Sequence, residues 1–90
     1  MLKPVITTRF KRNYQAMAKR GYDMSKLDIV VETLLAEEPL PPERLDHPLT
    51  GNWKGYRECH ITPDWLLIYK TDNDQLLLYL VRTGTHSDLF

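Results

Sequence analysis

The sequence predicts an α+β domain of order β-α-α-β-β-β, with two antiparallel helices packed on one face of a small, mostly antiparallel sheet. Three observations carry that prediction: two capped amphipathic stripes separated by a glycine turn, three strand-like runs in the last third separated by Pro, Asp and Asn, and a short apolar run ahead of them all. Ninety residues are enough for one core and too few for two, so residues 1–90 are expected to be a single domain with any site on its surface.

Pro4-Val5-Ile6-Thr7 reads as the first strand, and Thr7 or Thr8 as the cap of a helix running to about Arg20, where Gly21 ends it. Phe10, Tyr14, Met17 and Ala18 fall on one stripe of that helix, the spacing of a buried face. Asp23 caps the second helix, Leu27, Val30, Val31, Leu34 and Leu35 share its apolar face, and Pro39 is expected to end it. From Pro39 to Lys54 four prolines and one glycine mark a loop long for so small a domain. Leu45, Leu49 and Trp53 give that loop apolar anchors, so it is expected to be ordered and to hold His47, which Pro48 biases toward an extended backbone.

Strands follow at about 56–61, 65–70 and 76–83, separated by Thr62-Pro63-Asp64 and Asp72-Asn73-Asp74, and together make an antiparallel meander. If the first hairpin closes through an even-numbered loop, Arg57, Cys59 and Ile61 share a face with Leu66 and Ile68, which suits a core under the helices. Tyr56, Glu58 and His60 then share the other face with Trp65, Leu67 and Tyr69, which suits an open polar and aromatic surface. A two-residue loop at Asp72-Asn73 brings Arg82 onto that open face, whereas a three-residue loop reverses it.

Twelve basic and twelve acidic side chains cancel, so net charge argues for no particular partner. Their distribution is uneven: residues 1–22 carry Lys3, Arg9, Lys11, Arg12, Lys19 and Arg20 with no acid, while all twelve acids follow from Asp23 onward. Such a basic helix can hold RNA phosphates or be an ordinary solvated face. The lone Cys59 cannot form an intramolecular disulfide, and no apolar run is long enough to span a membrane, so the cytoplasm is the expected compartment.

The residues that point to chemistry are three histidines on three separate segments: His47 on the long loop, His60 at the first hairpin and His86 after the last strand. Metal-free RNA cleavage needs a base for the 2′-hydroxyl proton, an acid for the leaving 5′-oxygen and cations for the charge that builds on phosphorus. Histidine suits both proton roles, Asp64 can orient an imidazole or act as base, and Arg57 and Arg82 are the cations, although alternation assigns Arg57 to the core side. Tyr56, Trp65 and Phe90 can stack unpaired bases. No pair of histidines has the close spacing of a common zinc site, so no metal or other cofactor is expected.

These blocks carry a resemblance. The run from Asp46 to Lys70, with Asp46-His47-Pro48-Leu49, Trp53-Lys54-Gly55-Tyr56-Arg57 and Pro63-Asp64-Trp65, and the tail Arg82-Thr83-Gly84-Thr85-His86 through Leu89-Phe90, resemble the YafQ family of bacterial toxins in the RelE/ParE toxin–antitoxin superfamily. The resemblance implies a RelE-like fold and a ribosome-dependent endoribonuclease that cuts mRNA in the A site, leaves a 5′-hydroxyl product and so inhibits translation. It implies His47, His60, Asp64 and His86 as catalytic residues, with His86 the acid, His47 the base, and His60 and Asp64 positioning the phosphate or tuning the others. Trp65, Arg82 and Phe90 would bind substrate, with Arg57, Tyr56 and Lys54 beside them. The implied partners are a cognate antitoxin, the 70S ribosome and mRNA, with a monomeric free toxin and a higher-order toxin–antitoxin complex. A second reading is a non-catalytic toxin of the ParE type that binds DNA gyrase and needs no histidine cluster.

Overall fold

The computed structural model describes residues 1–90. Strand β1 (Lys3–Ile6) leads into helices α1 (Thr8–Lys19) and α2 (Met24–Leu35), followed by strands β2 (His47–Pro48), β3 (Arg57–Thr62), β4 (Trp65–Asp72) and β5 (Leu77–Thr85) and a terminal helix α3 (His86–Leu89). The five strands form one sheet in the order β1-β5-β4-β3-β2, antiparallel except where β1 runs parallel to β5. Two short elements, β2 and α3, extend the expected order. Both are too brief to leave a periodic signature in the sequence.

Local chemistry sets both helices. The Thr7 hydroxyl accepts from the Phe10 amide at the start of α1 and donates to the Leu80 carbonyl, tying the helix start to β5. The Asp23 carboxylate accepts from the Ser25 amide at the start of α2. Each helix ends in a Schellman motif: the Tyr22 amide reaches back to Met17 O with Gly21 at φ +88°, and the Glu38 amide reaches back to Thr33 O with Glu37 at φ +59°. That second motif corrects the expected end of α2. The helix stops at Leu35, ahead of Pro39, because Glu37 adopts the left-handed conformation that turns the chain, and the Met1 amino group pairs with its carboxylate at 3.2 Å.

Phe10 and Met17 of α1 and Leu27, Val30 and Leu34 of α2 pack on Cys59, Ile61, Trp65, Leu67, Tyr69, Leu78 and Leu80 of the sheet. The composition of that layer corrects the predicted faces. The first hairpin does close through two residues, Pro63 and Asp64, but a bulge at Ile61 shifts the register by one. Cys59 therefore pairs with Leu67 and Arg57 with Tyr69, so Trp65, Leu67 and Tyr69 lie under the helices. Leu66 and Ile68 turn to the other face with Glu58 and His60.

That other face is partly roofed. Leu89 of α3 packs on Leu66 and Ile68, and Leu49, Trp53, Tyr56 and Val81 close around them as a second, smaller core. The expected ordered loop exists, with 3-10 turns at Pro42–Arg44 and Gly51–Trp53 on either side of β2. The second hairpin has four loop residues, 73–76, in place of two or three. Arg82 reaches the histidine face because a second bulge, at Val81, pairs it with Ile68.

Candidate active site

The second face gathers the chemistry into rows across the sheet. Glu58 lies between His47 of β2 and Ile68 of β4, and Ile68 pairs with Arg82 of β5. Two residues along, His60 lies opposite Leu66 and Leu66 opposite Gly84, two residues ahead of His86. Alternation within each strand and register between them bring segments far apart in sequence to one side of the sheet.

His86 opens α3, and its position depends on how tightly that helix folds back. Thr85 and Asp88 form a capping box, the Thr85 amide donating to Asp88 Oδ2 at 2.8 Å and the Asp88 amide to Thr85 Oγ1 at 3.3 Å. Arg20 of α1 donates to the same Asp88 oxygen at 2.7 Å. The Arg20 contact, then the Thr85 amide, hold the Asp88 carboxyl down at about 2. Gly84 makes the fold-back possible, because a Cβ there would stand 2.9 Å from Asp88 Cβ. The result is an exposed His86 ring with Nδ1 3.9 Å from Asp64 Oδ1, and a His86 amide that donates to the same oxygen at 3.4 Å.

His60 and His47 are each fixed through Nδ1. His60 Nδ1 lies 3.2 Å from the Pro63 carbonyl and His47 Nδ1 2.6 Å from the Leu45 carbonyl. A carbonyl accepts only, so Nδ1 carries the hydrogen in both rings, and neutral His60 has its lone pair on Nε2. His47 differs, since its Nε2 faces Glu58 Oε2 at 3.2 Å. A hydrogen bond across that contact requires one more proton shared between imidazole and carboxyl. Glu58 is 6% exposed, and its Oε1 is a buried atom with no hydrogen-bond partner. Such an orphaned oxygen is costly to the fold.

Glu58 was missed as a candidate, although its parity with His60 was legible as a carboxylate on the histidine face. Trp53, expected as an apolar anchor of the loop, also belongs to the surface of the site. It is partly exposed and stands edge-on to both Tyr56 and Phe90, at ring separations of 5.5 and 6.4 Å. Phe90 lies 5.9 Å from the His86 ring, so these rings continue from the histidine onto the sheet.

Two of the predicted contacts to substrate change. Trp65 is 1% exposed, meets Tyr22 edge-on at 5.1 Å and donates its indole hydrogen to Thr83 Oγ1, so it offers no face to a base. The Ile61 bulge is the reason. Arg57 lies on the helix side, where it donates to Asp46 Oδ1 at 3.3 Å next to the Tyr69 hydroxyl bound to the same oxygen. It thereby fixes the residue before His47 from behind the sheet. Arg82 does lie on the histidine face, held by Asn13 Oδ1 at 2.9 Å, and Lys54 is exposed in the turn that carries Trp53. No three His, Cys, Asp or Glu side chains converge as a metal-binding group.

Comparison with known proteins agrees with the geometry. The family described as bacterial toxin of type II toxin-antitoxin system, YafQ, matches residues 2–90. The chain is 46% identical over 83 residues to the mRNA interferase toxin YafQ of Escherichia coli strain K12, covering 91% of this chain and 88% of that one. It superposes on a metal-bound toxin from Helicobacter pylori with a TM-score of 0.93 at 42% identity, over all of both chains. On the E. coli DinJ-YafQ complex the TM-score is 0.91 at 41% identity, covering 100% of this chain and 99% of that one. Sequence blocks, sheet order and matched length all agree, and the chain belongs to the YafQ family of type II toxin–antitoxin toxins.

Proposed function

We propose that this protein is an mRNA interferase, a ribosome-dependent, metal-independent endoribonuclease that cuts message in the A site by general acid–base catalysis and inhibits translation. One observation carries the reading: His47 and His60, each held at Nδ1, and His86 at the start of α3 gather on one side of the sheet, with Glu58 beside His47 and Asp64 beside His86. A relative of 46% identity bears the name mRNA interferase, which supports the reaction class.

In the proposed cycle a base removes the 2′-hydroxyl proton, the 2′-oxygen bonds to phosphorus, the bond to the 5′-oxygen breaks and an acid protonates that oxygen. The products are a 2′,3′-cyclic phosphate and a 5′-hydroxyl. His86 is the acid: it is exposed, with Nδ1 3.9 Å from an Asp64 oxygen, and stands next to Phe90, on which a base can stack. Hydrogen bonding favours His60 as the base, since its Nε2 is unengaged, over His47, whose two nitrogens both face acceptors. The contact to Glu58 then fixes the His47 ring beside the reacting groups, and Arg82 and Lys54 supply positive charge for the phosphorus. Trp53 takes the stacking role expected of Trp65.

The proposed partners are the 70S ribosome with mRNA and a cognate antitoxin, as the DinJ-YafQ complex supports. The free toxin is a monomer and the antitoxin complex is of higher order. The exposed cations Lys11 and Arg12 of α1 serve docking to ribosomal RNA, in a cytoplasmic setting; no helix is long and apolar enough to cross a membrane. The deciding experiment is induced expression of wild type beside His86→Ala, with primer extension on a reporter mRNA. In-frame cuts and growth arrest in wild type alone uphold the proposal. Arrest by both proteins without cuts would replace it with the gyrase-binding reading.

A further inference from the structure

We infer that the row Tyr56–Lys70–Tyr79 is a base-binding platform for a nucleotide of the strand being cut, outside the catalytic cluster. The inference rests on the nuclease reading and adds a subsite to it. Lys70 of β4 pairs directly with Tyr79 of β5, and its Nζ stands 5.6 Å over the ring of Tyr56, the residue just before β3. The three side chains thus line up across three strands on the histidine face, while Leu78 and Leu80 on either side of Tyr79 point into the helix-covered core. They line an open groove of about 710 Å³, the size of a small-ligand site.

Position links that groove to the chemistry. Tyr56 precedes His60 by four residues, a span of about 13 Å at the rise of an extended chain. Ring contacts bridge the interval, from His86 to Phe90, Phe90 to Trp53 and Trp53 to Tyr56. Aromatic side chains on an exposed sheet face are how several RNA-binding sheets stack unpaired bases. The rim chemistry says which part of the nucleotide is held: Asp72 and Asp74 offset the single charge of Lys70, so the groove is poor for a phosphate. Two tyrosine rings and acceptor oxygens suit a base carrying amino or imino hydrogens. A strand engaged at both places crosses the sheet from the Tyr–Lys–Tyr row to the histidines, which gives the enzyme a way to prefer some bases near the cut.

The test uses the full chain and a fluorescent six-nucleotide single strand carrying 2′-O-methyl groups throughout, which binds but lacks the hydroxyl needed for cleavage. Anisotropy should show Tyr79→Ala weakening binding at least fivefold, the equivalent of ~1 kcal/mol of base stacking, with Tyr79→Phe close to wild type. Lys70→Glu, a surface change that spares the core, should weaken it as well. On cleavable RNA the loss should fall in KM, with the pH profile of the reaction unmoved. Unchanged affinity in both Tyr79→Ala and Lys70→Glu overturns the inference, as does a wild type that does not bind the strand. Variants that keep RNA affinity but lose the antitoxin overturn it too, and assign the groove to the protein partner. A wild type that binds the strand through Tyr79 but cuts no message, on or off the ribosome, upholds the platform and sinks the nuclease reading instead.

Discussion

Replacing Gly84 with Ala should cost the protein its activity at a modest cost in stability, although glycine-to-alanine changes at ordinary backbone angles usually stabilise by about 0.4–1 kcal/mol through the unfolded chain. Gly84 is not among the positive-φ glycines, so no backbone strain opposes the change. The obstacle is steric. The new Cβ would lie 2.9 Å from Asp88 Cβ, 3.2 Å from its Oδ2 and 3.4 Å from Leu89 Cδ2, and the nearest of these atoms is the root of a side chain with no freedom to swing aside. Gly84 is itself buried, and overpacking against immobile neighbours costs ~1–3 kcal/mol. Here α3 is terminal and can lift off, so the penalty is bounded by what it leaves behind: Leu89 against Leu66 and Ile68, the capping box, and the Arg20–Asp88 pair. Full loss of Leu89 burial alone is worth about 1.5–3 kcal/mol. A net destabilisation of about 1–2 kcal/mol is therefore expected, after subtracting the unfolded-state gain. The same displacement carries His86 and Phe90 away from the sheet. Urea unfolding followed by tryptophan fluorescence reads the first quantity and cleavage of ribosome-bound mRNA the second, with a predicted loss of at least a hundredfold. Wild-type stability together with full cleavage in Gly84→Ala would refute the account of how α3 is seated.

Other residues give sharper single readouts. Asp88 has a folded-state carboxyl held at about 2, so its stabilising effect should be present above its ordinary range near 4 and disappear as pH falls toward 2. With its side chain 38% exposed, solvent screening reduces that effect to ~1 kcal/mol, and Asp88→Asn should flatten the acid limb of the stability profile by that amount. Thr83→Val removes the acceptor for the buried Trp65 indole and should destabilise by about 1–3 kcal/mol in urea with the cleavage pH profile unchanged. Cys59 is buried and its thiol is pushed up to about 12, chiefly by desolvation, so native protein should resist alkylation at pH 8 and react only on unfolding. Charge reversal at Lys11 and Arg12 should weaken ribosome binding more at low salt than at high; an unchanged salt slope would remove α1 from the docking surface.

By itself the sequence determined whatever depends on near neighbours. Thr7 and Asp23 cap helices and Gly21 ends one because each acts on backbone groups within a few residues. The stripe of Phe10 and Met17 and that of Leu27, Val30 and Leu34 find the core through helical period alone. The three histidines, Asp64, Arg82 and Phe90 were legible as residue types in motifs. Tertiary structure decided which way the strands face. A single extra residue at Ile61 moves Trp65 from a binding surface to the core, and another at Val81 brings Arg82 to the histidines. Neither bulge is marked by a glycine or other local signal, since Ile61 and Val81 are ordinary strand residues whose extra place in the ladder is set by pairing with the neighbouring strand. The partnership of Glu58 with His47 and the seating of α3 by Arg20 are likewise contacts between segments distant in the chain. Their formation depends on where the whole sheet places each segment, a property that no window of adjacent residues contains.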